Sequence, residues 1–136
     1  MKYKLFVVED HPVVRAAYHR MINRESDLEI VGEADNGRDA LDMIANTLPD
    51  LVLIDISLPG MSGISLITHL RTLYPDMPTM IISGHEEALY AKHALQAGAK
   101  GYLVKTGLAE VMIEAIHQVL NSEIYISATV RQKLKL

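Results

Sequence analysis

The stretch that decides the fold is Leu51–Gly60, LVLIDISLPG. Leu51, Val52, Leu53 and Ile54 are four consecutive apolar residues, the pattern of a strand buried on both faces, as central strands of a parallel sheet are. The run ends at Asp55, after which Ser57, Pro59 and Gly60 turn the chain. A carboxylate so placed stands at the carboxyl end of a strand, where open α/β sheets bind their ligands. Taken alone, such an acid is more often a loop cap than a functional group. The ends of the other strands change that balance.

Upstream, Tyr3 to Val8 reads as a buried strand ending in Glu9 and Asp10. Pro12 suits the first turn of a helix, where its missing N–H costs nothing. Val14, Ala17, Tyr18, Met21 and Ile22 form that helix's apolar stripe. Leu28 to Val31 is a shorter strand near an edge, flanked by Asp27, Glu29 and Glu33. Asp35, Asn36 and Gly37 cap a second helix, with the stripe Leu41, Ile44, Ala45 and Leu48.

Downstream, a third helix carries Ile64, Ile67, Leu70 and Leu73 and closes at Tyr74-Pro75. Thr79 to Ile82 is a fourth strand, ending in Ser83-Gly84. The next helix, about Glu86 to Gln96, has a stripe of mostly small residues, Ala88, Ala91, Ala94 and Leu95, which buries little area. Gly101 to Val104 is a fifth strand, ending in Lys105. Thr106 is the N-cap expected for the last long helix, whose stripe is Leu108, Val111, Met112, Ala115, Ile116, Val119 and Leu120. A short extended piece at Ile124 to Ile126 and a short helix from Ala128 follow, with Arg131, Lys133 and Lys135 as solvated charges. Five alternations of strand and helix imply a parallel sheet with helices on both faces.

Composition agrees with one globular domain: the chain has 136 residues, 49% hydrophobic and 22% charged, which removes disordered and fibrous classes. A net charge of -4 gives no support for direct nucleic-acid binding. With no cysteine there is no disulfide framework, thiolate metal site or Cys nucleophile. The apolar core of MKYKLFVVEDHP is too short for a signal peptide or a membrane span, so a cytoplasmic protein is expected. The six histidines show no metal-ligand spacing and read as surface residues, and the seven methionines read as core filler.

Four strands therefore end in polar groups: Glu9 and Asp10, Asp55, Ser83 and Lys105. In a parallel sheet those ends share one edge. Three acids in one crevice repel each other and raise their pKa values unless a cation compensates. Oxygen-only ligands favour a hard ion such as Mg²⁺, which takes one or two carboxylates and keeps waters or phosphate oxygens. A metal beside a carboxylate, a hydroxyl and a lysine suits phosphoryl transfer, which depends on positioning and charge neutralisation. Asp55 is then the nucleophile, Glu9 and Asp10 hold the metal directly or through water, and Lys105 pairs with a phosphate oxygen.

The set VVEDHP, LIDISLPGMSG, IISG and GYLVK resembles the receiver domain of bacterial two-component response regulators, in detail the NarL/FixJ type, over about residues 3 to 121. The resemblance implies a flavodoxin-like, CheY-like five-stranded parallel sheet of order 2-1-3-4-5. It makes Asp55 the phospho-acceptor, Glu9 and Asp10 the acidic pair, the Ser57 backbone carbonyl a further Mg²⁺ ligand, Ser83 the switch hydroxyl, Tyr102 the switch aromatic and Lys105 the family's lysine. Taken alone, Tyr102 reads as a strand aromatic with its hydroxyl at the surface. Glu9 stands where the family often has Asp, and Thr106 where many members have proline, so no cis-proline is expected there.

The resemblance further implies a regulatory phospho-acceptor that catalyses only its own phosphorylation and dephosphorylation. Its partners would be a sensor histidine kinase and, on phosphorylation, a second copy of itself. Residues 1–121 would form the receiver and 122–136 a linker toward a helix-turn-helix domain outside this chain, through which alone DNA would be contacted. A stand-alone receiver acting by protein–protein contact is the alternative. A haloacid-dehalogenase-type phosphatase would want a second acid where Ser57 stands, and a flavodoxin-like electron carrier would want a hydroxyl-rich loop where Glu9, Asp10, His11 and Pro12 stand.

Overall fold

The apolar runs become strands of a single parallel sheet. The structure, a computed structural model, describes residues 2–56, 58–84, 88–105 and 109–135. In chain order the elements are β1 (Tyr3–Val8), α1 (Pro12–Asn23), β2 (Leu28–Ala34), α2 (Gly37–Thr47), β3 (Leu51–Asp55), α3 (Gly63–Leu73), β4 (Thr79–Ser83), α4 (Ala88–Ala97), β5 (Gly101–Val104), α5 (Ala109–Leu120), β6 (Tyr125–Ile126) and α6 (Ala128–Leu134). The sheet order is β2-β1-β3-β4-β5-β6, with every pairing parallel.

Alternate residues of each strand feed two cores. Phe6, Val8, Val52, Ile54, Ile81 and Tyr102 face α2, α3, α4 and α6. Leu5, Val7, Leu51, Leu53, Met80 and Leu103 face α1 and α5. All five residues of β3 are buried, as a strand flanked on both sides and both faces must be.

The expected five-stranded sheet gains a sixth strand. Tyr125 and Ile126 pair with Gly101 and Tyr102, joined by Tyr125 N–H to the Lys100 carbonyl (2.9 Å) and Ser127 N–H to the Tyr102 carbonyl (3.2 Å). This covers an edge of β5 that would otherwise present unpaired backbone groups. Behind it α6 lies on α4, and Ile126 and Val130 join Ala91, Ala94 and Tyr102 in one buried cluster. The small alanine stripe of α4 is thus matched by a neighbour that the five-stranded scheme lacks.

Two helix stripes are rotated from the expected ones. In α2 the buried residues are Gly37, Ala40 and Ile44, while Ala45 is exposed and Leu48 is 58% exposed. Leu48 has left the helix: it is the C-cap, at φ 44°, with its N–H bonded to the Ile44 carbonyl. In α3, Leu66 replaces Leu73 in the core, and Leu73 is 58% exposed in the last turn. Strand β2 runs on to Ala34, past a register shift against β1, where a Cβ on Gly32 would lie 2.7 Å from the Phe6 ring. Only glycine admits the ring at that separation.

Candidate functional site

The polar strand ends converge as the parallel topology requires. Glu9 extends the β1–β2 pairing by one bond, N–H to the Ala34 carbonyl at 3.0 Å, and is fully buried. Asp55 is the last residue of β3 and is buried beside β4, where it pairs with Ile82. Ser83 ends β4 and is also buried. The Lys105 N–H bonds the Ser83 carbonyl at 2.7 Å, which fixes the start of the lysine's reach. Its Nζ lies 3.7 Å from Glu9 Oε1 and 3.9 Å from Asp55 Oδ2. Glu9, Asp10, His11 and Asp55 each offer one ligand atom within 4.8 Å of the others'.

Glu9, Asp10, Asp55 and Lys105 are therefore brought together, with Ser83 at the adjoining strand end. Tyr102 is 0% exposed, packed in the α4/α6 core, which corrects the reading that puts its hydroxyl at the surface. Ser57, expected to lend a backbone carbonyl, lies outside the described residues, as does Thr106, the expected N-cap.

The β3–α3 connection supports Asp55 from below. Ser62 caps α3 by accepting the Ser65 N–H at 3.1 Å. A Cβ on the next residue, Gly63, would lie 3.0 Å from the Asp55 carbonyl oxygen and 3.1 Å from Ile56 Cα. Both are backbone atoms, so they yield only if the strand end moves. Gly63→Ala is expected to destabilise the fold by about 1–3 kcal/mol through overpacking. Urea unfolding monitored by circular dichroism checks this; an unchanged midpoint would refute it.

Two residues at the site escape sequence reasoning. Arg15 Nη1 donates to the Glu9 backbone carbonyl at 2.7 Å, while its Nε lies 3.9 Å from Glu33, tying the β1–α1 turn to α1 and β2. Its signal was slight: a cation one helical turn after His11. His11 itself is 63% exposed, as a surface histidine should be, yet its Nδ1 lies 3.1 Å from Glu9 Oε1 and 3.0 Å from Asp10 Oδ1. Elsewhere His19 meets Glu33 at 2.7 Å and His117 meets Asp27 at 2.9 Å.

Burial, then a hydrogen bond with Asp55 and the charge of Asp55, push the Glu9 carboxyl up to about 7, against the opposing pull of Lys105 and His11. Burial and the same two acids also raise the Tyr18 phenol. Among the described residues no donor reaches Glu9 Oε2. A fully buried Glu9 with one oxygen lacking a donor, facing Asp55 and flanked by Asp10, fits a hard divalent cation, which would remove both the repulsion and the orphaned oxygen.

The raised Glu9 value has a stability consequence. The folded state holds this proton more tightly than the unfolded chain, so the contribution is complete below about 4.5 and disappears as pH rises to about 7. With a chelator present, the melting temperature of the native protein is expected to fall across that window more steeply than that of Glu9→Gln. Added Mg²⁺ should restore the loss at the upper end. Parallel melting curves for the two proteins would contradict this.

Residues 5–117 match the family model described as the response regulator receiver domain. The chain belongs to that family. This receiver is 37% identical over 133 residues to the response regulator GacA of Pseudomonas aeruginosa, covering 98% of the chain and 62% of GacA. It is 34% identical over 125 residues to the nitrate/nitrite response regulator NarL of Escherichia coli K12, covering 90% and 57%. The expected kinship with the NarL/FixJ type is thereby borne out. Among solved structures, a LuxR-family two-component response regulator from Aurantimonas sp. SI85-9A1 superposes with a TM-score of 0.95 at 30% identity, covering 99% of this receiver and 96% of that chain. The NarL signal receiver domain from Mycobacterium tuberculosis gives 0.85 at 32% identity, covering 90% and 98%.

The receiver spans 56% to 65% of the length of the curated relatives it matches. No helix among the described residues is long and apolar enough to cross a membrane.

Proposed function

We propose that this receiver takes a phosphoryl group onto Asp55 from a sensor histidine kinase and passes the event to a transcriptional output. The observation that carries the reading is Lys105 Nζ reaching Glu9 and Asp55 together, at 3.7 and 3.9 Å, on the ligand-binding edge of the sheet. An Asp55 carboxylate oxygen attacks phosphorus and forms the new O–P bond. The bond from phosphorus to the donor nitrogen or oxygen breaks, its electron pair leaving with the donor. Lys105 pairs with a phosphoryl oxygen as charge shifts.

Glu9, Asp10 and Asp55 would hold Mg²⁺, with the Ser57 carbonyl added by family resemblance. When bound, the ion neutralises charge on the acids and on the phosphoryl oxygens. The phosphate brings about -1.5 to -2 charge and three acceptor oxygens. Ser83 donates to one of them, biasing the surface formed by α4, β5 and α5. Tyr102 already lies inside, so the switch holds an aromatic in place rather than drawing it inward. Its carbonyl also carries the Ser127 N–H, so the same strand anchors the C-terminal segment.

That segment, residues 122–136, leads toward a DNA-binding domain outside this chain, in keeping with the printed names of relatives such as the transcriptional regulatory protein DegU. Homodimerisation on phosphorylation would couple the two. Incubation with acetyl phosphate and Mg²⁺ tests the reading by intact mass. Up to one phosphoryl group per chain is expected, without turnover of small phosphate esters; no incorporation, or steady ester hydrolysis, would overturn it.

A further inference from the structure

The edge that holds the acids also holds an imidazole. His11 Nδ1 lies 3.1 Å from Glu9 Oε1 and 3.0 Å from Asp10 Oδ1, yet only the contact with Glu9 has hydrogen-bond geometry. Asp10 Oδ1 is buried and accepts no hydrogen bond among the described residues, and Glu9 Oε2 likewise meets no donor on a fully buried side chain. One ring nitrogen bears at most one hydrogen, and here the geometry directs it at Glu9 and leaves Asp10 Oδ1 without a donor. A cation in its place can meet both oxygens.

The spacing suits such an ion. Octahedral coordination with bonds of about 2.1 Å places neighbouring donor atoms about 3.0 Å apart. Both Nδ1-to-carboxylate separations match that edge. The His11 side chain is 63% exposed, so little packing holds the ring against a small turn of Nδ1 onto an ion.

We propose that His11 is an additional protein ligand at the acidic site, giving it one nitrogen donor and making it bind Mn²⁺, Co²⁺ or Zn²⁺ through Nδ1 as well as through Glu9, Asp10 and Asp55. Imidazole suits Zn²⁺ and its first-row neighbours, and Mn²⁺ accepts it beside oxygen donors, whereas Mg²⁺ keeps to oxygen and leaves His11 aside. The inference rests on the metal reading above but adds a ligand and a metal preference to it.

Pulsed electron paramagnetic resonance of one equivalent of bound Mn²⁺ tests it directly. A second cluster, Glu25, Asp27 and His117, could contribute a nitrogen of its own, so the measurement is made in His117→Ala protein. Nitrogen-14 modulation is expected, lost when His11→Ala is added, with Mn²⁺ affinity about tenfold weaker and Mg²⁺ affinity changed by less than about threefold. Mn²⁺ bound in an Asp10-dependent way without nitrogen modulation would overturn the inference and leave the acidic metal site standing. Modulation surviving His11→Ala would also overturn it. Failure to bind Mn²⁺ at all would bring down the metal reading itself and the inference with it.

Discussion

Asp55→Ala protein is expected to incorporate no phosphoryl group from acetyl phosphate, under conditions that load the native chain. Asp55 meets Lys105, belongs to the acidic cluster and ends the fully buried central strand, which delivers its carboxylate to the ligand-binding edge. Glu9 is not positioned to replace it: its side chain is fully buried, whereas Asp55 stands at the end of β3 on the ligand-binding edge of the sheet. Loss of phosphorylation would not reflect unfolding. Removing one of two facing acids relieves the repulsion that raises Glu9, so the variant should melt no lower than the native protein near pH 7. Phosphate incorporation comparable to the native chain would show that the acceptor lies elsewhere.

Lys105→Ala should slow loading by about two orders of magnitude, the usual cost of losing one preorganised donor to developing charge. The geometry adds a second effect. Lys105 is among the groups that hold the Glu9 carboxyl down, so its removal pushes that group further up and makes the metal-free protein less stable near neutral pH. High Mg²⁺ should recover the stability and leave the slow rate, because the ion can neutralise the acids but cannot stand where the ammonium meets a phosphoryl oxygen. Initial rates with acetyl phosphate and melting curves at low and high Mg²⁺ separate the two. A rate within twofold of native would remove Lys105 from the mechanism.

Most of the fold was legible because buried parallel strands announce themselves. LFVV, LVLI and MII are apolar without alternation, and each is followed by the polar residue that the sheet delivers to its ligand-binding edge. Two strand residues at Tyr125–Ile126 carry no such signal: they were readable as extended, but their pairing depends on an edge of β5 that only the assembled sheet defines. The burial of Tyr102 follows from that cover, as Ile126 and Val130 close over it. Ala45 and Leu73 were misplaced because apolar spacing gives a helix its period while the rotation about its axis is set by what it packs against, and Leu48 because the helix ends one residue before it. Arg15 and His11 show the same limit at the site. Their positions at and just after the start of α1 do not set side-chain direction, which takes Arg15 to the Glu9 carbonyl and His11 to the Glu9 and Asp10 carboxylates.

The most direct test of the central claim is to locate the bond. Native protein loaded with acetyl phosphate is reduced with borohydride, which converts an aspartyl phosphate to homoserine, and the peptides are sequenced by tandem mass spectrometry. Homoserine at position 55 is the predicted result. Homoserine at any other position, or a phosphoryl group found on a histidine with Asp55 intact, would contradict the account.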